Sequence, residues 1–516
     1  MIWRQVLARL RANIVRIPLG DLIPTIGSRV LFRFQSLVAV NLVFLTGMFS
    51  AGASEEPPSR EEVEILRQQV ETLTRQLQDL EARMATQEST PEPSSAVVPD
   101  ASAPADTDEK EPTVMVGEDG LRIRSADGAF ETRIGLKLSH DWAWFNQDRE
   151  LERSVGDEQD GTGFRHARLV LSGQLHSDFK YQMEIDFAGE TGLDTPKFRD
   201  VYFEYTALPY GAERALALRL GHFKEPFGLD ELNGSMDRQF QENPLLDVLM
   251  PSRNAGVMLT DALLGQPKAE RLTWALGVFK ETDDIPSSND SDEDQGYAVT
   301  ARVTGLPYYA QEGRRLIHLG AAYSHRNPDG ARLSFGLRPE TRLARFRYID
   351  PDNLPGLFRL TDARADDLDL LGVELATVFG PFSFQGEYVL SSVETTFAGN
   401  LDFSGYYAQA MYLLTGEHRP YSHASARFSS PAPDRPFSLR SGQRGPGAWE
   451  LGLRYGAVDL SDSSITGGEH SSLTFGLNWY INSNLRMSWN YKLNEVDHPF
   501  YDGDFQSFQT RVQLDF

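Results

Sequence analysis

From about residue 113 onward, apolar and polar residues alternate with a period of two. In "FKYQMEIDF", Phe179, Tyr181, Met183, Ile185 and Phe187 fall on one side, and Lys180, Gln182, Glu184 and Asp186 on the other. "LRMSWNYKL" sets Leu485, Met487, Trp489 and Tyr491 against Arg486, Ser488, Asn490 and Lys492. "RIGLKLSHDWAW" places Ile134, Leu136, Leu138, Trp142 and Trp144 opposite Arg133, Lys137, Ser139 and Asp141. Successive side chains of a strand point to opposite faces, so each stretch predicts a strand with one apolar and one strongly polar face. Turn-forming residues join neighbouring strands: "LHSDF" near His176, Gly380-Pro381 in "VFGPFSF", and Asn482 to Asn484 in "WYINSNL". Long connections such as "KETDDIPSSNDSDEDQ" and "HRPYSHASARFSSPAPDRPFSLRSGQRGPG" separate hairpins.

The N-terminal region reads differently. Val63, Leu66, Val70, Leu73, Leu77, Leu80 and Met84 recur at alternating steps of three and four, a heptad repeat. It predicts a short coiled-coil helix within 54–87 that joins chains; an amphipathic helix packed on its own protein fits the same stripe. Valine at a with leucine at d leans toward two strands, so the number of chains stays open. Upstream, Arg4, Arg9, Arg11, Arg16, Arg29 and Arg33 precede an apolar run and the small residues Ala51 to Ala53. That is the layout of a secretory signal over 1–53, cleaved after Ala53. An uncleaved anchor is the rival, but the apolar run is short for a span. Residues 88–112, rich in proline, alanine, serine and acids, predict a flexible linker ahead of a large domain at 113–516.

The chain has 516 residues, no cysteine and a formal net charge of −24. A disulfide frame and a thiolate metal site are therefore excluded, and nucleic acid is a poor partner. Mean hydropathy is −0.39. That argues against a bundle of transmembrane helices, but not against a membrane barrel, whose alternating strands average out.

Two all-β architectures accommodate such hairpins. A soluble sandwich turns its polar faces to water. A transmembrane antiparallel β-barrel turns its apolar face to lipid and its polar face to a wet lumen, with short turns on the periplasmic side and long loops outside. Trp142, Trp144, Trp479, Trp489 and Tyr491 near strand ends fit interfacial girdles, and charge deep within the polar faces fits a lumen. Both favour the barrel.

Several stretches then become familiar: "RHARLVLSGQL", "KYQMEIDFAG", "FRDVYFEYTALP", "LRLGHFKEPFGLDEL", "PSRNAGVML", "LLGVELATVFGPFSFQGEYV", "DFSGYYAQAMYLLTGEHRPY", "GAWELGLRYGAVDL" and "FGLNWYINSNLRMSWNY". Together they resemble the phosphate-selective porin O and P family. The resemblance implies a sixteen-stranded barrel in the outer membrane of a Gram-negative bacterium, assembled as a homotrimer. It implies a third outer loop folded inward after "GHFKEPFG", placing residues near 225 to 253 in the lumen. It also implies a water-filled channel for passive diffusion of small solutes, anions such as phosphate among them.

Alternation nominates Arg133, Lys137, Arg168, Lys180, Arg219, Arg454 and Arg486 as lumen cations, with Lys224 and Arg253 flanking the inward loop. A phosphate must exchange its hydration for charge-assisted contacts, which is why fixed cations at a narrow point are needed. Arg199 falls in phase with Val201 and Phe203, toward lipid. Asp141, Glu184, Asp186, Glu204, Glu387 and Glu450 share the polar faces. Mixed charge of this kind also serves simply to keep a pore wet, and the overall acidity opposes anion steering. In "RVQLDF", Val512, Leu514 and Phe516 form a lipid row and Arg511, Gln513 and Asp515 a lumen row. Phe516 resembles the terminal aromatic read by the outer-membrane assembly machinery. The histidines are scattered, and no HExxH, nucleophile elbow or phosphate-cradling loop occurs, so no enzyme, cofactor or metal centre is expected. The acidic outer loops offer oxygen ligands for a divalent cation. Two alternatives stand beside the porin. One is a structural barrel tethered by its coil to periplasmic partners. The other is a barrel enzyme such as a lipase, which would need a serine–histidine pair on the lipid side.

Overall fold

The computed structural model describes residues 112–118, 120–188, 196–210, 214–264, 269–280, 296–328, 335, 337–350, 360–463 and 465–516. The signal over 1–53, the heptad over 54–87, the linker up to 111 and the connection 281–295 lie outside the described residues.

Two short strands come first, β1 (Thr113–Gly117) and β2 (Gly120–Arg124). The barrel opens with β3 (Phe130–Gln147), β4 (Gly161–Leu175), β5 (Phe179–Asp186), β6 (Lys197–Tyr210), β7 (Arg214–Lys224) and β8 (Arg253–Leu263). It continues with β9 (Leu272–Lys280), β10 (Tyr297–Ala310), β11 (Arg315–Arg326), β12 (Ala365–Phe379), β13 (Phe382–Thr395) and β14 (Gly399–Leu413). A separate small hairpin, β15 (Tyr421–Ser422) and β16 (Arg427–Phe428), follows, and then β17 (Ala448–Asp462), β18 (Ile465–Tyr480), β19 (Leu485–His498) and β20 (Tyr501–Asp515) complete the wall. Sixteen strands thus form the barrel, each antiparallel to its neighbours.

Closure is made by β20 on β3, in register from Phe505 opposite Gln147 to Asp515 opposite Lys137. Phe516 extends this seam by exchanging both backbone hydrogen bonds with Leu136, at 2.9 and 3.0 Å. Where β20 stops, β2 takes over the same edge of β3, with Leu121 opposite Ile134. Closure pairs the backbone groups of the first and last wall strands, leaving no open edge between them.

Alternation sorts the side chains as expected. On β12, Leu371 and Val373 are each 48% exposed on the outer surface, whereas Glu374 is 6% and Ala376 0% exposed within. The outer surface is an apolar belt including Phe203, Leu319, Tyr388, Tyr406 and Leu453, and the inner surface is rich in buried charge.

Two expectations are corrected. Arg199 does not face outward. Between Met183–Val201 and Ile185–Phe198 the ladder slips, so that Arg199 and Asp200 together oppose Glu184. A bulge breaks the period-two phase. Both side chains turn inward, Arg199 to 3.7 Å from Asp186 and Asp200 to 3.0 Å from Arg253.

The second correction concerns the long connection 414–447. In an antiparallel wall each strand reverses end, so the side of a connection follows from strand parity, not from length. This one joins β14 to β17 at the end of the short turns near His176, Gly380 and Asn482–Asn484. Part of it turns back into the barrel: Arg302 on β10 donates to the Ala426 carbonyl at 3.3 Å, and the Tyr421 hydroxyl lies 2.9 Å from Nδ1 of His318 on β11.

The connection 225–252 between β7 and β8 also enters the barrel and crosses to the far wall. It contains the one-turn helix Leu229–Leu232 and a 3-10 turn at Leu245–Leu249. Phe240, 2% exposed, lies over two glycines: a Cβ at Gly476 would come within 2.9 Å of its ring, and one at Gly452 within 3.2 Å. Replacing Gly476 by valine should displace the ring at an overpacking cost of about 1–3 kcal/mol. The expected outcome is a barrel that keeps its heat-modifiable electrophoretic mobility while its single-channel current becomes larger and noisier in planar bilayers; unchanged current would show that the ring does not hold the loop.

Candidate constriction site

The inward loop is fastened at its entry and at its tip. At entry, buried Glu225 accepts from Arg326 Nη1 at 3.0 Å and from Asn254 at 2.7 Å. Gly228 has φ +73, and a Cβ there would meet Met250 Sδ at 2.6 Å, so only glycine fits this corner without strain. The backbone N–H groups of Leu229 and Asp230 both donate to the Glu387 carboxylate of β13, at 2.7 Å each. Tyr407 supports that carboxylate with a 2.6 Å hydrogen bond.

At the tip, Asn478 and Arg486 donate to the carbonyls of Gln239 and Arg238, each at 2.8 Å. Arg454 donates to the Glu242 carbonyl at 3.0 Å and lies 4.6 Å over the Phe240 ring. Glu242 itself sits between two guanidiniums. Arg165 of β4 grips it at 2.8 and 2.9 Å, and Arg511 of β20 at 2.5 Å while also binding Asp141 of β3 at 2.6 Å. Burial would push the Glu242 carboxyl upward, but these two guanidiniums overcome it and hold the group well below the usual carboxylate range.

Beside the loop lies a cavity of about 390 Å³. The wall contributes Arg165, Arg168, Arg199, Lys224 and Arg253; the inward loop contributes Arg238. The connection between β11 and β12 closes the other side with Arg338, Arg342 and Arg347. Among the described residues, nine cationic side chains therefore face four lining carboxylates, Glu231, Glu242, Asp247 and Glu340. Most wall cations are held by carboxylates: Arg168 by Asp186 at 2.6 Å and Glu184 at 2.8 Å, Lys224 by Glu231 at 3.3 Å, Arg253 by Asp200 at 3.0 Å. On the inward loop, burial and the nearby charge of Glu231 push Asp247 up to about 7. One of the four carboxylates is thus half-neutral near physiological pH, which widens the cationic excess. Hydrogen-bonded guanidiniums in a confined polar cavity suit an anion of a few heavy atoms, since they supply forked donors and fixed charge.

Of the cations nominated by alternation, Arg168, Lys224 and Arg253 meet at this cavity. Lys137 joins the same network through Glu184 at 2.6 Å. Arg454 and Arg486 lie buried, bracing the loop from the wall. Lys180 is exposed near the short-turn end, 3.9 Å from Glu204, and Arg219 binds Glu204 at 2.5 Å with Tyr202 4.1 Å beneath it. Arg133 sits where β2 joins β3, opposite Arg122. Arg165 and Arg238 were not among the nominees, nor were the three arginines of the β11–β12 connection. Alternation is silent about loops, and Arg165 falls where the ladder slips between Ser139 and His140.

A second cluster fills the barrel toward the short-turn end. Arg302 and His318 share Glu374, at 2.5 and 2.8 Å. Arg419 donates to Gln385 at 2.7 Å and lies 4.4 Å over the Phe428 ring. The two inward segments meet here: Phe428 N donates to Asn233 and Ser430 N to Asp237, at 2.9 and 2.8 Å.

The family model described as "Phosphate-selective porin O and P" matches residues 135–516. Porin O of Pseudomonas aeruginosa is 26% identical over 437 residues, covering 78% of this chain and 92% of that protein. An uncharacterized protein of Caulobacter vibrioides is 26% identical over 526 residues, covering 94% and 98% respectively. Among solved structures, OmpT of Vibrio cholerae aligns at TM-score 0.44 and 10% identity over 75% of this chain and 98% of its own. OprB of Pseudomonas putida aligns at TM-score 0.45 and 8% identity over 75% and 94%. With a closed polar-lined barrel and a family match over most of the wall, the chain belongs to the phosphate-selective porin O and P family and is a porin of the Gram-negative outer membrane.

Proposed function

We propose that this porin favours small anions, phosphate among them, and that the cavity beside the inward loop is where the solute exchanges water for guanidinium contacts. The carrying observation is the imbalance of nine cations over four carboxylates among the described residues of the cavity lining. The chain as a whole is acidic, at −24. Exposed charges more than about 10 Å away are screened at moderate salt, whereas confined charges are not, so the local excess governs passage. Wall carboxylates hold Arg168 and Arg253 in ion pairs, while the connection between β11 and β12 adds cations from the outer side.

We infer further that the barrels associate as trimers, and that Phe516 is read by the assembly machinery. Heptad residues Val63 to Met84 supply a route to association without fixing the number of chains, and the Phe516 ring falls in phase with Val512 and Leu514 at the closing seam.

Purified protein in planar bilayers should conduct, with a reversal potential in a potassium chloride gradient that favours chloride; a preference for potassium would sink the anion reading. Phosphate should block chloride current, and Arg338→Gln with Arg342→Gln should weaken that block by about tenfold or more per guanidinium lost. Titration gives a second test. Asp247 is neutral below its raised pKa and charged above it, so chloride preference should fall as pH rises through about 7, and Asp247→Asn should flatten the profile. Deleting Phe516 should lower the amount of protein inserted in the outer membrane, read by surface labelling; unchanged surface levels would remove its proposed role.

A further inference from the structure

At the short-turn end, β17, β18 and β19 carry a column of three indoles on the outer wall. Trp449 stacks on Trp479 at 5.1 Å and on Trp489 at 6.5 Å, with planes within 13° and 3°. Residues 435–447, "RPFSLRSGQRGPG", are fastened to this column. The Phe437 ring meets Trp479 edge-on at 4.9 Å, and its N–H donates to the Ile481 carbonyl at 2.7 Å. Trp449 and Trp479 both donate their indole N–H to the Pro446 carbonyl, at 3.2 and 3.0 Å. Ser438 and Gly445 exchange backbone hydrogen bonds, and Gln443 N donates to the Arg440 carbonyl at 3.1 Å, closing the tip. The segment is a small hairpin pinned outside the wall, at the depth where an aromatic girdle marks the headgroup boundary.

Its surface chemistry differs from the rest of the chain. Leu439 is 77% exposed, and Arg435, Arg440 and Arg444 are exposed as well. None of the three arginines forms an ion pair among the described residues. The stretch holds no acid, in a chain whose net charge is −24. An apolar tip flanked by cations beside interfacial indoles matches what binds a negatively charged membrane surface.

We propose that residues 435–446 dock on anionic phospholipid headgroups in the periplasmic leaflet of the outer membrane. The indole column sets the depth, Leu439 enters the acyl boundary, and the three guanidiniums take the phosphates. This rests on the orientation of the barrel and not on which solute the channel passes.

The test uses the full-length protein in detergent micelles doped with phosphatidylglycerol or phosphatidylcholine brominated on the acyl chains, reading quenching of tryptophan fluorescence. Half-quenching is expected at on the order of fivefold less phosphatidylglycerol than phosphatidylcholine. High salt should erase the difference. So should Arg435→Gln, Arg440→Gln and Arg444→Gln combined, while Arg338→Gln with Arg342→Gln, at the opposite end, should preserve it. Equal quenching by both lipids in the wild type, or a preference surviving the triple substitution, overturns the proposal. If the wild type shows no lipid preference and the triple variant changes oligomeric state on native electrophoresis, the hairpin docks on a second copy of the chain instead, which also overturns it.

Discussion

A chain folded back inside a barrel has no sheet of its own, so the wall must satisfy the polar groups it brings in. Buried N–H and carbonyl groups that find no partner cost about as much as a lost hydrogen bond each. The inward loop is therefore held by side chains chosen for its backbone. Glu387 takes two N–H groups at the start of a one-turn helix, and Asn478, Arg454, Arg486 and Arg511 serve carbonyls at the tip. Packing adds to this where Phe240 sits over Gly452 and Gly476. The path of the loop across the lumen depends on this exchange, and the cavity lies beside the loop so held.

The same side chains set the electrostatics. A carboxylate removed from water is tolerated when it is paired and hydrogen-bonded, and leaving one partner alone is costly. Glu184, Asp186 and Glu242 meet that condition by binding arginines, which in turn are held in place around the cavity. Lumen acids thus do two things at once: they lower the net positive charge, and they order the cations that remain. An acidic chain with a cation-rich cavity lining is consistent on these terms, because the cations outnumber the carboxylates locally while the chain as a whole carries −24.

Much of the wall was legible from alternation. Phe179 to Asp186, Leu485 to Lys492 and the closing row of Arg511, Gln513 and Asp515 all sort inside from outside as the period of two requires. Legibility ended where geometry departs from that period. At Arg199 a bulge puts two successive residues on one face, and no property of either residue announces it. The connection 414–447 looked like an outer loop because of its length, whereas its side follows from the number of strands before it. The arginines of the β11–β12 connection could be read as loop residues, but nothing local says that a loop lies across a lumen. Arg165 and Arg238 matter because of Glu242, Asp230 and Glu231, partners that only the folded chain brings within reach.

The clamp on Glu242 has one jaw on β4 and the other on β20, on either side of β3. Arg511 comes to its place only when β20 lies beside β3, and Asp141 of β3 then holds it there. Without that pairing the seat of Glu242 keeps only the Arg165 jaw, so the full clamp on the inward loop exists only in a molecule whose circumference is complete.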